Sequence, residues 1–246
     1  KLAKHVWYKE IQITTNWLNL SKFEFFQKLV ENWLNTIKMS MHSFDAETEF
    51  QITKIPQAFE MKKKTLENYN VLKKDFSLRL DTQTVVSRYN YQNLWDIAQN
   101  LLDLDVNSIR FEFVWYYNSY PLENLQKSFL PYSRAIDWLN QIADLVAKTQ
   151  TPKITIAWFP ICFLLKNKII KSEKDHIVWE SHDYFDQVDD LRNNTQFSFL
   201  DQKINKLRYF PLRKCETCPF KNLKPCPWFP MDYFKYLEEF GIEENL

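Results

Sequence analysis

Hydrophobic residues along this chain follow two alternating spacings, which together predict an α/β protein. Runs with an apolar residue at every second position predict strands, and runs with apolar residues three or four positions apart predict helices. The strand pattern occurs at Tyr8–Thr15, Thr36–His42, Phe76–Arg88, Ser108–Trp115 and Lys153–Phe159. The helical pattern occurs at Lys22–Asn32, Ala58–Lys73, Tyr91–Leu104 and Ser133–Lys148. Because strands that alternate with helices form parallel sheets, we expect about five parallel strands joined by crossover helices.

One face of several predicted strands is polar, as in the alternation from Thr36 to His42. Crossover helices need an apolar face to pack on, so the polar rows are expected to line the inside of a curved sheet. A closed barrel fills that space with branched apolar side chains, so polar rows indicate an open, partial barrel that holds a polar ligand. Sites in such sheets lie at the carboxyl ends of strands. The candidate binding residues there are Asn16, Ser40, His42, Arg88 and Asn90, each of which alone also suits a turn or cap.

The hydrophobic pattern becomes irregular after Leu165, which predicts a domain boundary. We expect a partial barrel over residues 1–165 and a cysteine-rich tail over residues 166–246. The net charge is +1 at pH 7, and the basic run Lys62–Lys64 lies in a polar helical pattern that predicts a solvated face. We therefore expect no nucleic acid and no membrane as partners. Residues 154–165 form the longest apolar run, too short to span a bilayer, and without a signal-peptide pattern we expect a cytoplasmic protein.

Four cysteines form the sharpest local motif. Cys215 and Cys218 are separated by two residues, and Cys226 follows after seven more. Thiolates at this spacing can bind one metal centre, and Cys162, at the end of the last predicted strand, is a candidate fourth ligand. The spacing fits either a structural zinc or an iron–sulfur cluster. A buried core thiol is the alternative for Cys162.

Glycine is almost absent from the chain, whereas tryptophan is abundant. Gly241 is the single glycine in 246 residues, and average usage predicts about seventeen. Glycine is needed where φ is positive, above all just past helix ends. Several of the nine tryptophans stand at such punctuation sites, namely Trp7, Trp17, Trp33 and Trp228. One interpretation is that these codons are UGA in a genome that reads UGA as glycine, and an AT-rich, glycine-poor lineage is the alternative. Trp95 and Trp138 lie inside helical patterns and fit genuine tryptophans.

Several stretches agree in order and spacing with the motifs of one enzyme superfamily, when glycine is read at the suspect tryptophans. Residues 11–17 resemble a strand that ends in T-N-G, and residues 37–45 resemble the strand that follows it in that family. Residues 85–90 resemble a strand ending in v-v-x-r-x-N, and residues 158–162 resemble a G-x-P-x-C segment. The tail cysteines resemble those of members with an auxiliary cluster. Over nearly its whole length, the chain resembles the radical S-adenosylmethionine superfamily.

The resemblance implies a partial (β/α) barrel that uses S-adenosylmethionine and a [4Fe–4S] cluster. In that family the C-x3-C-x2-C loop that binds the cluster precedes the T-N-G strand. Because this chain starts close to that strand, we expect a fragment that is inactive alone. The implied reaction is reductive cleavage to a 5′-deoxyadenosyl radical, which abstracts hydrogen from an unknown small molecule or peptide. An electron donor such as flavodoxin or ferredoxin is the implied partner.

The resemblance also assigns roles to individual residues. It implies that Ser40 and Arg88 contact the amino and carboxylate groups of S-adenosylmethionine, with Asn16 and Asn90 near its ribose or methionyl end. The tail cysteines would hold an auxiliary iron–sulfur cluster. Two alternatives remain: a non-catalytic zinc-binding α/β protein, and a barrel for a phosphate-containing cofactor, although no glycine-rich phosphate loop is evident.

Overall fold

The computed structural model describes residues 9–16, 19–113, 122–149, 153–157, 159, 177–180, 209–210, 229–230 and 236–242. Its strands are β1 (Gln12–Thr15), β2 (Thr36–Ser40), β3 (Arg79–Val86), β4 (Ser108–Phe113), β5 (Lys153–Ala157), β6 (Ile177–Glu180), β7 (Tyr209–Phe210) and β8 (Phe229–Pro230). Its helices are α1 (Phe23–Glu31), α2 (Ala46–Thr53), α3 (Ala58–Leu72), α4 (Leu94–Asp103), α5 (Leu122–Ser128) and α6 (Tyr132–Thr149). A 3-10 turn, Tyr91–Asn93, precedes α4.

Strands β1 to β6 form one sheet in which each strand pairs in parallel with its neighbour in sequence. Strands β7 and β8 form a separate antiparallel pair. The sequential order is that of a sheet wound in one direction, as in a (β/α) barrel, whereas a doubly wound sheet reverses its order at a switch point. The α/β prediction is confirmed, and all five predicted strands contain observed ones. A sixth strand, β6, comes from the segment assigned to the tail, while the boundary near Leu165 stays a prediction.

The helices pack against one face of the sheet, as the alternation predicts. Along β4 the residues alternate between half-buried and buried, and Ile109 and Phe111 on the buried face have no exposed surface. These residues join a single core with apolar residues of the helices, including Phe26, Val30, Leu66, Ile97 and Leu139. None of the helices that the structure describes is both long enough and apolar enough to cross a membrane.

Two helices, α2 and α5, occur where the sequence pattern predicts none. Helix α2 has little apolar periodicity, and it begins at a polar cap instead: the Asp45 carboxylate accepts a hydrogen bond from the Thr48 amide at 2.7 Å. This bond satisfies one of the amides that a helix leaves unpaired at its start. It also holds the pKa of Asp45 below its usual value. Helix α5 lies between the predicted strand Ser108–Trp115 and the predicted helix Ser133–Lys148.

Trp33 has the backbone conformation of a glycine. It follows α1 with φ of 82°, its amide donates to the Val30 carbonyl at 2.9 Å, and the Leu34 amide donates to the Leu29 carbonyl at 3.1 Å. These two bonds define a Schellman motif, in which the residue just past the helix end adopts the left-handed conformation. A bulky residue rarely does so. The position supports the recoding interpretation for Trp33.

Gly241 occupies the equivalent place after the helical turn at residues 236–239. Its φ is 62°, and the amides of Gly241 and Ile242 donate to Glu238 and Leu237 carbonyls at 3.1 and 2.8 Å. Asp105 takes the same place after α4, with φ of 54°. Asp tolerates this conformation better than most residues. Lys54, at the end of α2, is also left-handed, with φ of 59°. Trp33 is the bulkiest of the four left-handed residues at the ends of the described helices. Trp95 and Trp138, by contrast, lie within α4 and α6.

Candidate functional site

The sheet face opposite the helices carries polar side chains in rows across neighbouring strands, and we call it the polar face. The strand register aligns Thr14, Lys38, Asp81 and Ser108 in one row and Ser40, Gln83, Arg110 and Thr155 in the next. Most of these residues are half-buried. The sequence prediction that polar rows lie on the face away from the helices is confirmed. Such a face suits a polar ligand, because it offers donors and acceptors in a partly desolvated setting.

Charged groups on the polar face contact one another. Arg110 Nη2 lies 3.3 Å from Glu112 Oε1, and both side chains are 17 % exposed. The Gln83 amide donates to the other oxygen of Glu112. In the adjoining row, Arg79 Nε and the Ser108 hydroxyl donate to the Asp81 carboxylate at 3.0 and 2.7 Å. The pairs Arg79–Asp81 and Arg110–Glu112 therefore each bring opposite charges into contact, which reduces the cost of their partial burial.

His42 is buried just past the end of β2. Its ring Nδ1 accepts a hydrogen bond from the Val85 amide at 3.2 Å, so the imidazole replaces a strand carbonyl as partner of β3. Burial, and secondly the positive charge of Lys62, lower the pKa of His42 from 6.5 to about 3. The ring is therefore neutral at physiological pH, with its proton on Nε2. We infer the tautomer from this hydrogen bond.

Asn90 is fully buried in the turn after β3 and joins the ends of two strands. Its Oδ1 accepts from the Ser87 amide at 2.8 Å, while its Nδ2 donates to the His42 and Val85 carbonyls, each at 2.9 Å. These bonds use the amide on backbone groups. The structure thus brings the predicted residues His42 and Asn90 together, and both hold the rim between β2 and β3.

Glu49 and Lys62 form a buried ion pair beneath this rim that the sequence did not reveal. Glu49 Oε2 accepts the amides of His42 and Ser43 at 3.1 and 3.0 Å, and Lys62 Nζ contacts the other oxygen. Their side chains are 0 % and 4 % exposed. The prediction of a solvated face at Lys62–Lys64 is therefore wrong for Lys62. Burial lowers the pKa of the Lys62 ammonium, against the opposing effect of Glu49.

The helical spacing contained the signal for Lys62. On α3 it lies in a buried stripe with Ala58, Leu66, Tyr69 and Leu72, in which successive residues are three or four positions apart. A lysine within such a stripe must be paired, because an unpaired buried charge is very unfavourable. The remaining lysines of the run, Lys63 and Lys64, are exposed as predicted.

The other predicted contacts lie at strand ends but in two different places. Ser40 is the last residue of β2, and Asn16 follows β1. Since Thr15 pairs with Met39, the next residues along both strands are Asn16 and Ser40, which therefore adjoin on the polar face. Arg88, in contrast, is exposed in the turn after β3 and lines a separate cleft of about 200 Å³ with residues of the α5–α6 segment.

Metal binding stays a prediction. Cys162, Cys215, Cys218 and Cys226 lie outside the described residues. Within the part of the chain that the structure describes, no group of three or more His, Cys, Asp or Glu side chains is arranged to hold a metal ion. No protein-family model matches the chain, and no curated protein matches it significantly. The polar face, its rim and the resemblance of the motifs are therefore the features that bear on function.

Proposed function

We propose that this chain forms most of the barrel of a radical S-adenosylmethionine enzyme. The observation that favours this function most is the polar face of a parallel sheet wound in sequential order. A sheet with helices on both faces has apolar residues on both, and a closed barrel has a branched apolar interior. A polar interior at the carboxyl ends of parallel strands suits a charged, water-soluble cofactor.

In this proposal, Ser40 and Asn16 contact the amino-acid end of S-adenosylmethionine. The register of β1 and β2, continued by one residue past Thr15 and Met39, makes these two residues neighbours at the strand ends. Ser40 is half-buried and Asn16 is exposed, so both are available to a ligand that enters from the rim. A hydroxyl and a carboxamide together supply donors and acceptors for a zwitterion. The donor set present therefore fits this cofactor.

His42 and Asn90 act in this proposal as positioning residues. Their hydrogen bonds fix the backbone of both rim loops, and rigid placement is what a fixed binding geometry requires. The neutral state of His42 also matters, because an imidazolium beside a sulfonium cofactor would repel it. The contact between Arg88 and the cofactor's carboxylate stays a prediction, since Arg88 lines the separate cleft.

When bound, the cofactor and its iron–sulfur cluster would supply the radical that abstracts hydrogen from the substrate. This chain's own residues would bind and orient the cofactor and limit the access of water. The cysteines assigned to the auxiliary cluster, from Cys215 to Cys226, belong to the same proposal. An identified substrate is not required for the first test.

Binding of S-adenosylmethionine to paired variants tests the proposal. The natural gene product, with any residues encoded before Lys1, is reconstituted anaerobically with iron and sulfide, and affinity is measured by equilibrium dialysis. We expect Ser40→Ala and Asn16→Ala each to weaken binding about five- to tenfold, as for loss of one hydrogen bond of about 1 kcal/mol or more. The matched control is Gln12→Ala, since Gln12 is exposed at the opposite end of β1. Equal affinity in all four proteins would contradict the assignment.

A further inference from the structure

A second concave site lies outside the polar face, and we call it the arginine cleft. It is formed by the turn after β3, the segment between α5 and α6, and residues 240–242. The residues that define its character are Arg88, Gln126, Phe129, Arg134, Phe240 and Ile242. Its volume is about 200 Å³, close to seven water volumes at about 30 Å³ each. A ligand of this size is a small organic molecule.

The apolar wall of the arginine cleft is held in place by packing. Phe129 is 2 % exposed, and its ring meets that of Phe240 edge-on with centroids 5.4 Å apart. Phe240 in turn stacks on Tyr236 at 5.7 Å. On the other side, the Arg88 amide donates to the Ser128 carbonyl at 3.2 Å, which ties the β3 turn to the end of α5. The cleft is therefore preformed rather than dependent on a ligand.

Two positive charges border this apolar wall. Arg88 and Arg134 are both exposed, and none of the described residues that line the cleft is Asp or Glu. Among the residues that the structure describes, no carboxylate forms an ion pair with either guanidinium. The first turn of α6, which contains Arg134, also has no acidic residue. Two like charges at one concave site repel each other, and an anion bound between them would remove that repulsion.

We propose that the arginine cleft binds a small organic anion, with its carboxylate at Arg88 and Arg134 and its apolar body against Phe129 and Phe240. Guanidinium groups suit a carboxylate because their donors match its two oxygens. Aromatic side chains give the apolar body a flat surface of matching shape. Of the residues predicted to bind the cofactor, Arg88 lines this cleft, whereas Asn16, Ser40, His42 and Asn90 do not. The proposal thus assigns Arg88 to a ligand other than the cofactor, and competition between the two ligands tests that assignment.

Benzoate and benzamide form a matched pair of probes, because they have the same size and ring but differ in charge. Titrations of the full chain, followed by NMR or calorimetry, should show benzoate binding at least tenfold more tightly than benzamide. Arg134→Gln and Arg88→Gln should each weaken benzoate binding about tenfold, the effect of one charge-assisted hydrogen bond. Benzamide affinity should change little. Arg79→Gln is the control, because Arg79 is an exposed arginine on the polar face.

Three results would overturn the proposal. The first is equal affinity for benzoate and benzamide, or no binding of either. The second is unchanged benzoate affinity in both Arg88→Gln and Arg134→Gln. The third is displacement of benzoate by S-adenosylmethionine in direct competition, which would assign the cleft to the cofactor. That third result would leave the proposed enzyme function intact, so failure of one proposal is distinguishable from failure of the other.

Discussion

Replacement of Trp33 by glycine should relieve backbone strain, whereas the same replacement at Trp95 should only add the conformational entropy that glycine loses in a helix. Trp33 has φ of 82° just past α1, whereas Trp95 lies in the first turn of α4. Trp33 and Trp95 are 52 % and 39 % exposed, so both lie at the surface and neither replacement empties the core. The main difference between the two sites is the backbone conformation.

The expected difference follows from two terms. A residue with a Cβ pays about 1–2 kcal/mol in the left-handed conformation, which Trp33→Gly removes. Glycine inside a helix is less favourable than an ordinary residue by roughly 0.5–1 kcal/mol, which Trp95→Gly adds. The Trp33→Gly protein should therefore be more stable than the Trp95→Gly protein by about 2 kcal/mol. For a chain of this size, that corresponds to a difference in Tm of about 4–8 °C.

Urea unfolding followed by circular dichroism measures both variants without relying on tryptophan fluorescence. The reasoning is refuted if Trp33→Gly is as destabilised as Trp95→Gly. Mass spectrometry of the natural protein then tests the recoding interpretation itself, because a peptide with glycine at position 33 would confirm it. UGG codons at all nine tryptophan positions would end it.

Three further predictions concern stability. Gly241→Ala should lower the free energy of unfolding by about 1 kcal/mol in urea unfolding, entirely through backbone strain, since an added Cβ meets no atom within 4 Å. Folding lowers the pKa of His42 from 6.5 to about 3. As the pH falls, the unfolded chain therefore binds a proton at His42 before the folded chain does. The free energy of unfolding should fall by about 3 kcal/mol between pH 7 and pH 4. His42→Gln retains an acceptor for the Val85 amide and should remove most of this fall in stability between pH 7 and pH 4. An unchanged dependence of stability on pH in this variant would count against a neutral buried ring. Lys62→Met should lower the free energy of unfolding by about 3–5 kcal/mol, because it leaves Glu49 buried without its cation. The double variant Lys62→Met with Glu49→Gln should lose less stability than Lys62→Met alone. Additive losses in that double-mutant cycle would show that the two groups are not coupled.

Alternation along the strands made the sheet predictable from the sequence. Each strand from β1 to β5 presents an apolar row to the helices. That row determines where the strand lies in the sequence and which of its faces points to the helices. Helix α2 was not predictable in the same way, because a polar cap at Asp45 and a buried carboxylate at Glu49 begin and anchor it, rather than an apolar stripe.

The sequence predicted where the site lies in the fold, but not which groups its side chains contact. The sequence placed His42, Asn90 and Arg88 at strand ends, where the structure also has them. It could not show that His42 and Asn90 bond to backbone groups, since that depends on how two loops meet. Nor could it show the arginine cleft, because Arg88 and Arg134 come from segments far apart in the chain.

Formation of 5′-deoxyadenosine is the most direct test of the central claim that the polar face holds S-adenosylmethionine for radical chemistry. The natural gene product, reconstituted anaerobically and supplied with a strong reductant, should release this nucleoside, and Ser40→Ala should release it more slowly than Gln12→Ala. A protein that binds zinc tightly, shows no iron chromophore and releases no nucleoside would contradict the claim and favour a non-catalytic zinc-binding role.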